Sequence, residues 1–175
     1  MPKKNLNSPL AIVVSADFCV IAAPFGRLGI QTEIVDGSLM VANIVYLPLQ
    51  TPLQIPNNDL AKQLAYQCAE YFHNPEFIFD LPLKPVGTIH QQKVWATVAQ
   101  IPVGLTSTYG EIAKKIKSGP RAVGSACGAN YYPLVIPCHR VVAASSLGGF
   151  MQEDAPGFYR QIKRWLLRHE GAILV

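Results

Sequence analysis

Three residues able to do chemistry together stand side by side in an otherwise apolar run, Val135-Ile136-Pro137-Cys138-His139-Arg140-Val141-Val142. A thiol attacks carbon only as thiolate, so it needs a base or a positive potential beside it. His139 and Arg140 are residues of those two types. The β-branched flanks predict a buried extended segment that brings Cys138 to the floor of a pocket. Neighbouring side chains on an extended chain point apart, so His139 is expected to act through a water. A small buried cysteine in a core strand is the competing reading. His139 and Arg140 weaken it, because a plain core strand gains nothing by burying a base and a cation.

The remaining cysteines, Cys19, Cys68 and Cys127, are widely spread and form no C-x-x-C pair, so neither a disulfide framework nor a zinc ribbon is implied. Cys68 and His73 lie five apart on an expected helix, on different faces, which argues against a shared metal. A thiol hydrolase using Cys138 and His139 would want an oxyanion hole, and a redox protein would want a resolving cysteine. Neither is evident in the sequence.

These residues need a scaffold, and 175 residues can bury one good core or two small ones. Half of them are hydrophobic and 15% charged, a globular composition. No apolar run spans a bilayer, and the N-terminus lacks the apolar stretch of a signal peptide, so the expected compartment is the cytoplasm. Residues 1–89 hold five Lys/Arg against seven Asp/Glu, a net −2, while residues 90–175 hold ten against four, a net +6. A polyanionic partner met by the second half alone suits that asymmetry, although a merely solvated basic face would look the same.

Residues 10–22 suggest one or two short strands, and Ile30–Val35, Asp36-Gly37 and Leu39–Leu47 a β-hairpin with a two-residue turn. Asn58 or Asp59 caps a helix whose Leu60, Leu64, Cys68, Tyr71 and Phe72 share one face. Pro75, Pro82 and Pro85 then make a linker, so residues 1–88 read as a small α+β domain with no recognisable chemistry. A helix over 91–101 follows, then one capped within Thr106–Thr108 and ending at Lys114, Lys115 and Lys117. After Gly119, Pro120 opens a small-residue helix, which completes a helix-turn-helix pattern whose last helix would meet DNA. Lys163 to Gly171 is a closing helix with a glycine stop.

Pro137-Cys138-His139-Arg140-Val141 resembles the active-site signature of the O6-alkylguanine-DNA alkyltransferases, also called methylated-DNA–protein-cysteine methyltransferases. Thr88–Trp95, Arg121-Ala122-Val123-Gly124 and Lys163–Gly171 extend the likeness on both sides. The chain departs from the family at His90, usually phenylalanine, at Tyr131, usually proline, and over Met151–Tyr159, which replaces the usual pocket-bordering loop.

The resemblance implies an α+β fold. A small N-terminal sheet-and-helix domain over 1–88, ribonuclease H-like, would support a mainly helical domain over 89–175 that holds the helix-turn-helix. It implies double-stranded DNA containing O6-alkylguanine as partner, with O4-alkylthymine as a further substrate, and a monomer needing no cofactor. Some members bind zinc through a cysteine near the chain start; none precedes Cys19, so no metal is expected. Cys138 would take the alkyl group and keep it, His139 would be the water-mediated base, and Glu170 would orient the imidazole. Asn130 would support the turn before the nucleophile, and Tyr109 would contact the flipped base and donate a proton. Carbonyls at Cys138 and Val141 would read the exocyclic amine. Arg121 would replace the extruded nucleotide, with Thr108, Ala122 and Ser125 also against DNA. Two other classes compete: a lesion-binding relative, which would lack the reactive cysteine, and a plain helix-turn-helix regulator, which leaves Cys-His-Arg unexplained.

Overall fold

Asp36 and Gly37 carry the positive φ angles, 50° and 80°, of a two-residue turn that matches the twist of paired strands. They join β2 (Gly26–Val35) to β3 (Ser38–Leu47) in antiparallel register, Val35 opposite Ser38. β1 (Phe18–Ala23) pairs antiparallel with the other edge of β2, giving the order β1-β2-β3. The structure is a computed structural model that describes residues 17–151 and 157–173. The part of the expected strand region before residue 17, and residues 152–156 of the loop, lie outside them.

α1 (Asp59–His73) begins where the Asn58 side chain accepts the Ala61 amide at 2.8 Å. It lays Ala61, Leu64, Cys68 and Tyr71 against Leu28, Ile30, Ile44 and Tyr46 of the sheet. Tyr132, Leu134, Phe150, Ile162 and Leu166 complete the same core from beyond residue 88. The proline-rich stretch after α1 is tied to the sheet, with Val41 donating to Pro82 at 2.8 Å and accepting from Lys84 at 2.9 Å.

A second core joins three helices. α2 (Ile89–Val98) starts at a reciprocal Thr88–Gln91 cap, and α3 (Tyr109–Ile116) at a matching Thr108–Glu111 cap. α4 (Pro120–Gly128) has proline in its first turn, where a missing amide hydrogen costs nothing. Val94, Trp95 and Val98 of α2, Ile112 and Ala113 of α3, and Val123, Ala126 and Cys127 of α4 interdigitate. Trp95 Nε1 donates to the Ala126 carbonyl at 2.8 Å and fastens α2 to α4. Gly87, at φ +88°, leaves room for that indole; a Cβ there would stand 2.6 Å from the ring. α2 thus begins earlier and ends three residues sooner than the expected 91–101 helix, because the Thr88 cap sets its start.

The stretch around the nucleophile is where expectation and structure part. Cys138–Arg140 form one 3₁₀ turn, and only Val141–Val142 are extended, as β5, parallel to β4 (Ser107–Thr108). Pro137 and the bonds of Asn130 override the β preference of the flanks. α5 (Phe158–His169) closes the chain, with Ile162, Lys163, Leu166 and Leu167 inward. The fold is mixed α+β, and among the described residues no helix is long and apolar enough to cross a membrane.

Candidate active site

Asn130 follows α4 and is buried. Its side chain donates to the Ile136 carbonyl at 2.8 Å and accepts the Tyr132 amide at 2.8 Å, clamping both ends of residues 132–136. That clamp delivers Cys138 to the wall of a cavity of about 420 Å³, within the ~300–1,000 Å³ usual for small-ligand sites. Tyr109 of α3, Arg121, Ser125 and Cys127 of α4, and Gly149–Met151 of the loop are among the other lining residues. Cys138 is 3% exposed and lines that space.

Behind the thiol, His139 is 1% exposed and Glu170 is buried at the end of α5. The imidazole Nε2 lies 2.8 Å from Glu170 Oε1. A carboxylate only accepts, so Nε2 carries the hydrogen and Nδ1 is the lone-pair nitrogen. Nδ1 is buried with no hydrogen-bond partner among the described residues. Burial pulls the His139 pKa below its usual value, against the opposing pull of Glu170, so the ring is neutral and able to take a proton.

Glu170 gathers more than the histidine. Tyr71 Oη of α1 donates to Oε1 at 2.8 Å, and Arg140 donates Nη2 to Oε1 and Nε to Oε2, both at 2.9 Å. Burial alone would raise the carboxyl, but bonds and charges from His139 and Arg140 outweigh it and hold the pKa down to about 2. They also offset the unfavourable placing of an acid at a helix C-terminus. Arg140 anchors its other arm on the Ile101 carbonyl at 2.7 Å.

Lys163 of α5 is fully buried, and its ammonium donates to the carbonyls of Val141 at 2.7 Å and Gly149 at 2.9 Å. Burial pulls its pKa down to about 8, opposed by Cys127 and Cys138. Cys138 itself is held well above the usual thiol range, first by its hydrogen bond with Cys127 and then by burial, while Asn130 and Lys163 pull it down.

Tyr109 Oη donates to the Gly149 carbonyl at 3.2 Å, and Gly148, at φ +71°, lets the loop pass; a Cβ there would sit 3.0 Å from the Tyr109 ring. Arg121 and Ser125 line the mouth. Ala122 is exposed on α4 without lining the cavity, and Thr108 caps α3 and pairs with Val142. The Val141 carbonyl already serves Lys163 and the Cys138 carbonyl the Val141 amide, so each offers only its second lone pair.

Residues 90–172 match the model of the 6-O-methylguanine DNA methyltransferase DNA-binding domain. The methylated-DNA–protein-cysteine methyltransferase of Methanosarcina mazei is 36% identical over 135 residues, covering 73% of this chain and 82% of that one. The chain belongs to the methylated-DNA–protein-cysteine methyltransferase family. A Haemophilus influenzae methyltransferase of that name is 35% identical over 162 residues, covering 85% of this chain and 82% of its own. The solved Mycobacterium tuberculosis O6-methylguanine methyltransferase superposes with TM-score 0.71 at 33% identity, over 89% of this chain and 92% of that one.

Reading the sequence missed four participants. Tyr71 looked like one more aromatic on a core-facing helix, and residues 1–88 looked free of chemistry; the Tyr71–Glu170 bond corrects that. In the sequence Arg140 is only a charge near the thiol. Lys163 shares the apolar face of α5 with Ile162, Leu166 and Leu167, and a lysine on such a face was the available signal. Cys127, eleven residues from Cys138, gave none.

Proposed function

We propose that this methyltransferase repairs DNA by moving the alkyl group of O6-alkylguanine onto Cys138 Sγ, once per molecule. The observation that carries it is the thiol lining a cavity that α4 also lines, with the next residue, His139, buried, neutral and held by a carboxylate. α4 enters the minor groove, its small residues allow close approach, and Arg121 fills the place of the extruded nucleotide. The net +6 of residues 90–175 supplies attraction to phosphate.

His139 Nδ1 takes the Cys138 proton through a bridging water while Glu170 steadies the forming imidazolium. Sγ then bonds to the alkyl carbon as the C–O6 bond breaks, and the electron pair passes to the purine. Tyr109 turns from the Gly149 carbonyl toward the base and donates a proton to it, where a donor aimed at developing charge lowers the barrier. The product is a thioether with no good leaving group, so the protein is spent. O4-alkylthymine belongs to the same substrate class. In this reading residues 1–88, of ribonuclease H-like descent, support residues 89–175, and a monomer acts in the cytoplasm without metal or cofactor.

Intact-mass measurement after incubation with an O6-methylguanine oligonucleotide tests it. One methyl gained per molecule, mapped to the Cys138 peptide, is expected. No gain, or demethylation of DNA in excess of protein, overturns it.

A further inference from the structure

Cys127 is a thiol that the alkyl-transfer chemistry does not use. It lies one residue before the end of α4, is 6% exposed, and lines the same cavity as Cys138. The two cysteines belong to one buried cluster and line one cavity, and Cys127 is the first influence on the Cys138 thiol, while the Lys163 charge acts on both. Cys19 and Cys68 sit in the other core, away from this cavity. We propose that Cys127 is the resolving partner of Cys138, so that oxidation of the nucleophile ends in a reversible Cys127–Cys138 disulfide.

The oxidant is a hydroperoxide small enough to enter the cavity. Cys138 thiolate attacks one peroxide oxygen, the O–O bond breaks, and the departing oxygen leaves as alcohol or water after taking a proton; Cys138 is then a sulfenic acid. Cys127, as thiolate, attacks the Cys138 sulfur. The S–S bond forms, the S–O bond breaks, and hydroxide leaves and is protonated to water. Two thiols have lost two electrons and the peroxide has gained them. An external dithiol reverses the bond by exchange.

Without a neighbouring thiol the sulfenic acid meets more peroxide and passes to sulfinic acid, which is not reversed by thiols. For a nucleophile used only once, that loss would be final before any lesion was met. The disulfide ties up the electron pair that alkyl attack needs, so the oxidised protein is a recoverable off-state. That consequence rests on the alkyl-transfer reading; the bond itself does not.

The test uses the full chain, free of DNA, treated with hydrogen peroxide, then unfolded in guanidinium chloride containing N-ethylmaleimide and read by intact and peptide mass. The expected wild-type product has lost two hydrogens, links the Cys127 and Cys138 peptides, leaves Cys19 and Cys68 blocked by maleimide, and regains methyl acceptance with dithiothreitol. Cys127→Ser and Cys127→Ala should instead gain two or more oxygens on Cys138 that dithiothreitol does not remove. Oxygens on wild-type Cys138 without a cross-link, a cross-link to another cysteine, or equal recovery in the variants would overturn the proposal. If either variant fails to fold, the wild-type cross-link map decides alone. Untreated protein that accepts no methyl yet forms the cross-link sinks the repair reading and leaves this one standing.

Discussion

Glu170→Gln is the most informative single change, because one carboxylate serves three side chains. Its oxygens accept from Tyr71, His139 and two nitrogens of Arg140. Glutamine keeps the shape but offers one acceptor oxygen and turns an amide donor toward groups that also donate. It also removes the counter-charge of Arg140, whose side chain is only 13% exposed. Breaking a buried pair from one side costs roughly 3–5 kcal/mol. A second route agrees: lowering the carboxyl from 4.5 to about 2 corresponds to roughly 3.5 kcal/mol at about 1.4 kcal/mol per pKa unit. With an m-value of about 2 kcal/mol/M, the urea midpoint should fall by roughly 1.5–2.5 M at unchanged m. The same substitution unlocks the His139 tautomer, so the single-turnover transfer rate should fall by about 10²-fold or more. A variant whose midpoint moves by less than about 0.5 M and whose rate stays within about threefold would refute the claim that this carboxylate anchors the site.

Tyr71→Phe should cost about 1.5–3 kcal/mol in urea unfolding, since it removes a hydrogen bond to a charged group, and should slow transfer less than Glu170→Gln; no stability change would dismiss the link to α1. Arg121→Ala should slow transfer from duplex DNA more than reaction with free O6-benzylguanine, and equal losses would show that Arg121 is not the extrusion residue. Acid stability follows from the lowered Glu170 pKa: its contribution is complete above about pH 4.5 and is lost as pH falls toward about 2. Across that window wild type should lose more stability than Glu170→Gln, and parallel curves would contradict it.

What could be read from sequence was local. Asn58 and Thr108 announce their helices because a cap and its amide lie within three residues, whereas the Thr88 cap went unread and its helix was expected two residues late. Asp36-Gly37 announces the hairpin because those residues tolerate positive φ. The run from Pro137 to Val141 marked the nucleophile for the same reason. The 3₁₀ turn was hidden, since apolar β-branched flanks favour a strand until Asn130 bonds across the turn. Tyr71 meets Glu170 across 99 positions, and no spacing pattern carries such a contact. Lys163 falls on the apolar face of α5, a readable sign of a buried charge, but its carbonyl partners Val141 and Gly149 lie 22 and 14 positions away.

The first core recruits Tyr132, Leu134, Phe150, Ile162 and Leu166 alongside the strands and α1. Each half therefore supplies packing that the other lacks, and the chain should melt in one step, with no intermediate that keeps the thiol-bearing portion alone. A fragment spanning 89–175 would bare the inner face of α5 to water and lose the phenol that steadies Glu170. Damage to the hairpin would then reach the reaction by loosening the helix from which Tyr71 extends.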